Sequence, residues 1–133
     1  MNLTLVECTI EYWEFVRKLR NNPKVRIGFI EKKVISTTDQ MTYMKINSGY
    51  YRIALLNGIP AGYVGIINND IRVCTHPNFQ NMGIGRFMIE HAMKLWPKGT
   101  VKIIKGNFAS EKLFKNCGYI QIGFDENFNF YKK

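Results

Sequence analysis

The sequence predicts an α+β domain in which a mainly antiparallel central sheet is flanked by helices, with residues 1–133 forming one unit. Three observations carry that expectation. From Tyr50 to Thr75, strand-like runs follow one another across hairpin-type turns, which reads as an antiparallel meander. Beyond His76-Pro77 the apolar period becomes helical, and helices and strands then alternate to the C-terminus. The chain has 133 residues, enough for one core, and shows neither an internal repeat nor a linker.

The elements follow in order. Leu3-Thr4-Leu5 alternates as a short strand, after which Tyr12, Phe15, Val16 and Leu19 recur at helical spacing beside Arg17, Lys18 and Arg20. That helix should stop near Asn21-Asn22-Pro23, because proline disfavours helical geometry in the residue before it. Thr37 and Gln40 have the spacing of a capping box, with Met41 and Met44 following at one-turn spacing, so a short second helix is expected. Tyr51 to Leu56 and Ala61 to Ile67 are strands around Asn57-Gly58, and Asn68-Asn69-Asp70 turns the chain into Ile71 to Thr75. A helix from about Gly83 to Trp96 carries Ile84, Phe87, Met88, Ala92 and Leu95 on one stripe and ends at Pro97. Val101 to Lys105 is a strand, Ala109 to Asn116 a helix terminated by Gly118, and Tyr119–Phe124 and Phe128–Tyr131 are closing strands.

Composition narrows the function. Hydrophobic residues at 46% and charged residues at 22% describe a globular chain, and no apolar run approaches the roughly 20 residues of a membrane span. The N-terminus lacks a basic leader and has Glu7 early, so no secretory signal and a cytoplasmic location are expected. Cys8, Cys74 and Cys117 are odd in number and widely spaced, and with only His76 and His91 to join them neither a disulfide framework nor a metal site is expected. Nineteen basic against ten acidic side chains give a formal charge of +9, which attracts polyanions. Nucleic acid is not the expected partner, because no helix-turn-helix or zinc pattern accompanies the charge. A small phosphorylated ligand answers to it equally well.

The informative junction is a strand, then Gln80-Asn81-Met82-Gly83-Ile84-Gly85-Arg86, then a helix. A helix N-terminus presents N–H groups without intrahelical partners at the positive end of the helix dipole, which makes it an anion site. Glycines at 83 and 85 clear side chains from those amides, and Arg86 adds charge within the first turn. The segment is no Walker loop, which needs Gly-Lys-Ser/Thr, and it lacks the third glycine of the dinucleotide fingerprint.

Gln-x-x-Gly-x-Gly after a strand and a His-Pro, and before an amphipathic helix, resembles the acetyl-CoA pyrophosphate motif of the GNAT superfamily of N-acetyltransferases. Asn107-Phe108-Ala109-Ser110, Phe114 and Gly118-Tyr119 resemble the stretch of that family that flanks the cofactor's pantetheine, and the order of elements matches from Leu3 to Tyr131. The resemblance implies an acyltransferase that passes an acetyl group from acetyl-CoA directly to a primary amine, without metal. It also implies the site. Gln80, Asn81, Met82, Gly83, Ile84, Gly85 and Arg86 would hold the pyrophosphate; Val73 and Thr75 would pair with the pantetheine, which Asn107 and Phe114 flank. The family commonly has a tyrosine, the acid for the leaving thiolate, where this chain has Phe114; Tyr119 and Tyr131 are the nearby alternatives. Asp70 and His76 are the candidate bases.

For the acceptor, Leu19 to Arg26 with Ile35 to Met44 resembles the N-terminal region of GNAT enzymes that acetylate nucleotide-linked amino sugars. That implies a diphosphate received by Arg20, Arg26, Lys32 and Lys33. Protein or peptide amines remain alternative acceptors, as does a non-catalytic acyl-CoA sensor that phenylalanine at 114 would suit. Either a monomer or a homodimer is expected.

Overall fold

A computed structural model describes residues 1–26 and 33–133. Seven strands form one sheet: β1 (Leu3–Glu7), β2 (Tyr51–Leu56), β3 (Ile59–Ile67), β4 (Asp70–Thr75), β5 (Thr100–Ile104), β6 (Ile120–Phe124) and β7 (Phe128–Lys132), in spatial order β1-β2-β3-β4-β5-β7-β6. The expected meander is β2-β3-β4. Its two turns place Asn57 and Gly58 at φ 51° and 82°, and Asn68 and Asn69 at φ 52° and 65°, so both central residues of each turn are left-handed. Asparagine and glycine tolerate that region, and the resulting twist matches that of the strands. Asp70 therefore opens β4 rather than closing the turn.

Neighbouring strands are antiparallel except β4 and β5, which are parallel and share a single register pair, Asp70 opposite Thr100. The connection between them is α4 (Ile84–Leu95), as a parallel pair requires. Strand alternation then sorts the side chains onto two faces. Ile71, Val73, Val101 and Ile103 meet α4 and α5 (Phe108–Asn116) in one core; Tyr51, Tyr63 and Cys74 meet α1 (Trp13–Asn21) and α3 (Thr37–Asn47) in the other. On α4 the buried stripe is Ile84, Met88, Ile89 and Ala92, whereas Leu95, expected inside, is 45% exposed. The helix ends before that position completes another turn against the sheet.

Two local expectations are corrected. The cap of α3 is Ser36, whose hydroxyl accepts from the Asp39 N–H at 3.0 Å, and the helix runs for 11 residues instead of ending early. Its length comes from tertiary contact: Gln40 donates to the Trp13 carbonyl at 2.8 Å and Met44 is buried on α1. The second correction concerns Pro23. It ends α1 as expected, with Asn22 extended at ψ 124°, but also begins a further turn, α2 (Pro23–Arg26), where a missing N–H costs nothing.

Helix α5 is fixed to β7 by one carboxylate. Glu111 Oε1 accepts from Tyr131 Oη at 2.5 Å and from Asn129 Nδ2 at 2.7 Å, and the tyrosine bond holds the Glu111 carboxyl below its ordinary value. A charge-assisted hydrogen bond of this kind contributes about 1.5–3 kcal/mol, so Tyr131→Phe should lower stability by roughly that amount at neutral pH. Because the folded-state value is depressed, the contribution is present above the unfolded carboxyl's pKa and lost as pH falls through the folded one. Urea melts of wild type and Tyr131→Phe should therefore converge on acidification; an undiminished gap at about pH 3 would contradict the assignment.

Candidate functional site

Where β4 and β5 part beyond Asp70 and Thr100, a cavity of about 500 Å³ opens between them. Its narrow end is closed by Asp70, whose Oδ1 accepts from the Lys102 N–H of β5 at 3.0 Å. Its Oδ2 lies 3.7 Å from Arg72 Nε. Burial raises the Asp70 pKa, a shift opposed by the Lys102 N–H and by Arg72. The carboxyl is thus readier to accept a proton than a solvated aspartate.

Val73, Thr75 and Gln80 also line the cavity, whereas Asn81 to Arg86, the loop and first turn of α4 that follow Gln80, lie outside its lining. Asn81 and Gly83 both take left-handed backbone, φ 62° and 81°. The first bond of the helix runs from Phe87 N to Gly83 O at 3.0 Å, and Gly83 supplies no side-chain cap. The N–H groups of Ile84, Gly85 and Arg86 are therefore the first-turn donors without helical acceptors. The two glycines differ in what they do. A Cβ at Gly83 would meet nothing within 4 Å, so the left-handed φ alone is what favours glycine there. A Cβ at Gly85 would stand 2.9 Å from Leu113 Cδ2, so there glycine lets α4 approach α5. Met82 and Arg86 are exposed, with Arg86 bonded to Glu90 at 2.8 Å, while the Ile84 side chain is buried and leaves only its amide for the loop.

From α5, Asn107, Ser110 and Phe114 line the same cavity. Asn107 caps the helix by accepting from the Ser110 N–H at 3.4 Å. Tyr119 is outside the lining: it is buried behind Phe114, edge-on at 5.1 Å between ring centroids. The Tyr131 hydroxyl is committed to Glu111. His76 is also outside the lining, and its Nδ1 accepts from the Asn78 N–H at 3.1 Å, capping the turn before the glycine loop.

On the α1/α3 side, Arg20, Arg72, Tyr51 and Tyr63 line the cavity together with Lys24. A second cavity of about 300 Å³ adjoins it, lined by Lys33, Asp39, Gln40 and Tyr43 and again by Arg20 and Arg72. The Tyr43 and Tyr51 hydroxyls are 2.6 Å apart, and burial pushes the Tyr51 and Tyr63 pKa values upward. Arg26 lines neither cavity, its neighbours Lys24 and Val25 taking that place, and Lys32 lies outside the described residues. Arg72, Lys24 and Lys102 were not singled out from the sequence, and Ser110 was named only within the stretch that resembles the pantetheine-flanking segment. Only Arg72 had a signal, an arginine at an alternating position of a strand otherwise apolar from Ile71 to Cys74.

Burial pushes the Cys8 thiol to about 11 and the Cys74 thiol to about 12, so neither ionises readily near neutrality. Among the described residues no group of three or more His, Cys, Asp and Glu side chains could hold a metal ion, and no helix is long and apolar enough to cross a membrane.

A family model described as the acetyltransferase (GNAT) family matches residues 13–119. No curated protein matches the sequence. Solved structures share the fold. A ribosomal-protein-alanine N-acetyltransferase from Brucella melitensis is 15% identical with TM-score 0.82, covering 98% of this chain and 98% of that one. A spermidine N-acetyltransferase from Vibrio cholerae, in complex with CoA and spermine, is 17% identical with TM-score 0.81, covering 97% and 93%. The Salmonella typhimurium protein yncA, with its cofactor acetyl-CoA, is 16% identical with TM-score 0.79, covering 98% and 92%.

The raised Asp70 pKa gives a stability test. A group raised on folding stabilises below its unfolded pKa and loses that contribution as pH rises through the folded one, so ionised Asp70 is a cost at neutral pH. Asp70→Asn keeps an oxygen for the Lys102 N–H and removes the charge. Its melting temperature should equal or exceed that of wild type near pH 7, and the difference should shrink on acidification; a large loss of stability at neutral pH would mean that the Arg72 pair outweighs burial.

Proposed function

Because the chain belongs to the acetyltransferase (GNAT) family, we propose that it moves an acetyl group from acetyl-CoA directly to a primary amine of a small anionic acceptor. The observation that carries this reading is the cavity between β4 and β5, lined from Asp70 to Gln80, with the uncapped start of α4 three residues further along the chain. The parts suit the co-substrate. Open space at Gly83 and the free first-turn amides fit a pyrophosphate, with Gln80, Asn81, Met82, Ile84, Gly85 and Arg86 around it. From Thr75 to Asp70 the strand runs for about 16 Å, at roughly 3.3 Å per residue, with Val73 midway and Asn107 and Phe114 facing it from α5.

Transfer requires that an N–C bond form as the C–S bond breaks, that the attacking amine lose a proton and that the departing thiolate gain one. Asp70, half-buried with a raised pKa, is the group suited to take the amine's proton, directly or through water. The β4 backbone beside the cavity would orient and polarise the thioester. For the thiolate, Phe114 has no proton to give, and His76, Tyr119 and Tyr131 are engaged elsewhere or outside the lining; the donors in the lining are Ser110, which stands nearest Phe114 in sequence, Thr75, Cys74, Tyr51 and Tyr63, with water besides.

The acceptor is read from charge. Arg20, Lys24, Arg72 and Lys102 line the cavity against Asp70, a balance that favours anions over polycations such as spermidine. The relatives named above act on spermidine and a ribosomal-protein alanine, so the nucleotide-linked sugar acceptor draws no support from them. A non-catalytic acyl-CoA sensor is the second reading, favoured by phenylalanine at 114.

Acetyl-CoA at about a hundredfold its Kd should stabilise the protein by roughly 2.7 kcal/mol, with NAD and ATP doing far less. Gly83→Asp should fold, since its side chain meets open space, but lose the effect through charge and backbone strain. Equal stabilisation of both proteins would remove the loop from the site. In a thiol-release assay against pooled amines, turnover supports the enzyme and saturable binding without turnover supports the sensor. Phe114→Tyr should raise turnover if no side chain now protonates the thiolate; unchanged turnover points to a donor already in the lining, Ser110 first, or to water.

A further inference from the structure

We infer that Arg72 selects the acceptor, holding a carboxylate or phosphate of the amine-bearing molecule where the two cavities meet. The inference rests on the acetyltransferase reading and adds to it a residue, a position and a chemical class.

Arg72 sits two residues after Asp70 on β4, and both side chains line the main cavity. Arg72 also lines the smaller cavity toward α3, so its guanidinium stands between the two spaces. It is neither solvated like a surface arginine nor sealed in the core, its side chain being 39% exposed. Among the described residues its pairing is incomplete. The approach to Asp70 Oδ2 is 3.7 Å, well beyond the 2.7–2.9 Å of a close charge-assisted bond, and the other Asp70 oxygen is engaged by the Lys102 N–H. A guanidinium has five donors in a planar fork, and the Tyr51 hydroxyl and one distant carboxylate oxygen leave room for a bidentate oxyanion.

The surroundings favour that occupant. Arg20 lines both cavities and its charge reaches Tyr51, Tyr63 and Cys74, while Lys33 faces Asp39 in the smaller space. Buried tyrosines beside the guanidinium displace water, which strengthens attraction to an anion. Geometry adds a length limit. Arg72 Nε and Asp70 Oδ2 stand 3.7 Å apart, so a molecule whose anion meets Arg72 and whose amine meets Asp70 carries the two only a few bonds apart. That describes a compact amino acid or amino phosphate, not a long polyamine.

The test uses the full chain with acetyl-CoA and four amines: β-alanine, O-phosphoethanolamine, ethanolamine and spermidine. Stabilisation by acetyl-CoA is measured first; its absence in wild type sinks the acetyltransferase reading itself, whatever Arg72 does. Thiol release should then favour β-alanine or O-phosphoethanolamine over ethanolamine by about tenfold or more in kcat/KM, and which of them wins separates carboxylate from phosphate. Arg72→Gln should erase that preference through KM, and Arg72→Lys, charged but without the fork, should restore part of it. Should neither anion turn over, each is titrated into the CoA-saturated protein and the melting shift recorded for wild type and Arg72→Gln. A shift in wild type that the variant loses upholds the subsite. A preference for ethanolamine or spermidine, an equal fall in kcat for every amine in Arg72→Gln, or no difference in melting shift between the two proteins overturns it.

Discussion

The structure depends on a parallel pair that is allowed to fail. Strands β4 and β5 begin side by side, and the closed end is joined several times: Asn69 O accepts from both Thr100 N and Thr100 Oγ1, Asn69 Nδ2 donates to Lys98 O, and Asp70 accepts from Lys102 N. Past these bonds the register stops. Separated strand edges would be a liability in a sheet interior, because buried backbone groups without partners are costly. A ligand that lies between them and hydrogen-bonds as a strand would supply what the sheet withholds. The same crossover that makes the pair parallel brings the N-terminus of α4 to the end of β4, so the cleft and the uncapped helix start are two results of one connection.

Legibility in the sequence followed the range of the interactions. The two hairpins were visible because left-handed turns demand asparagine or glycine within two positions, and α4 because its stripe repeats every turn. Gly83 and Gly85 were visible as a motif, yet their separate duties were not: one needs left-handed φ, the other needs the absence of a clash with Leu113, 28 positions away. The length of α3 was hidden for the same reason, since Gln40 reaches the carbonyl of Trp13 across 27 positions. Arg72 looked like a strand arginine until the fold set it beside Arg20 and Tyr51. His76 looked like chemistry and serves as a cap.

Charge acquires meaning only through this arrangement. A chain carrying +9 could bind many anions at its surface, where salt screens attraction within about 10 Å. The described cavities place arginines and lysines against walls of buried tyrosine, apolar strand and helix, where screening is weaker. The buried thiols point the same way: burial raises Cys8 and Cys74 alike, and a neighbouring arginine only moderates each shift.

The two halves of the site also differ in how they are held. On the α4/α5 side the groups are backbone amides, a helix cap and close-packed apolar residues, all fixed by local geometry and by the Glu111 bonds to β7. On the α1/α3 side they are long side chains, Arg20, Lys24, Lys33 and Arg72, projecting from separate elements. Strand β4 serves both, turning Ile71 and Val73 to one face and Arg72 and Cys74 to the other. Substitutions on the second face can change side-chain chemistry without moving the first, because each residue of a strand meets only one of the two layers. A fold divided in this way can keep one co-substrate while its acceptors change, because function lies in the side chains a fold presents and not in the fold itself.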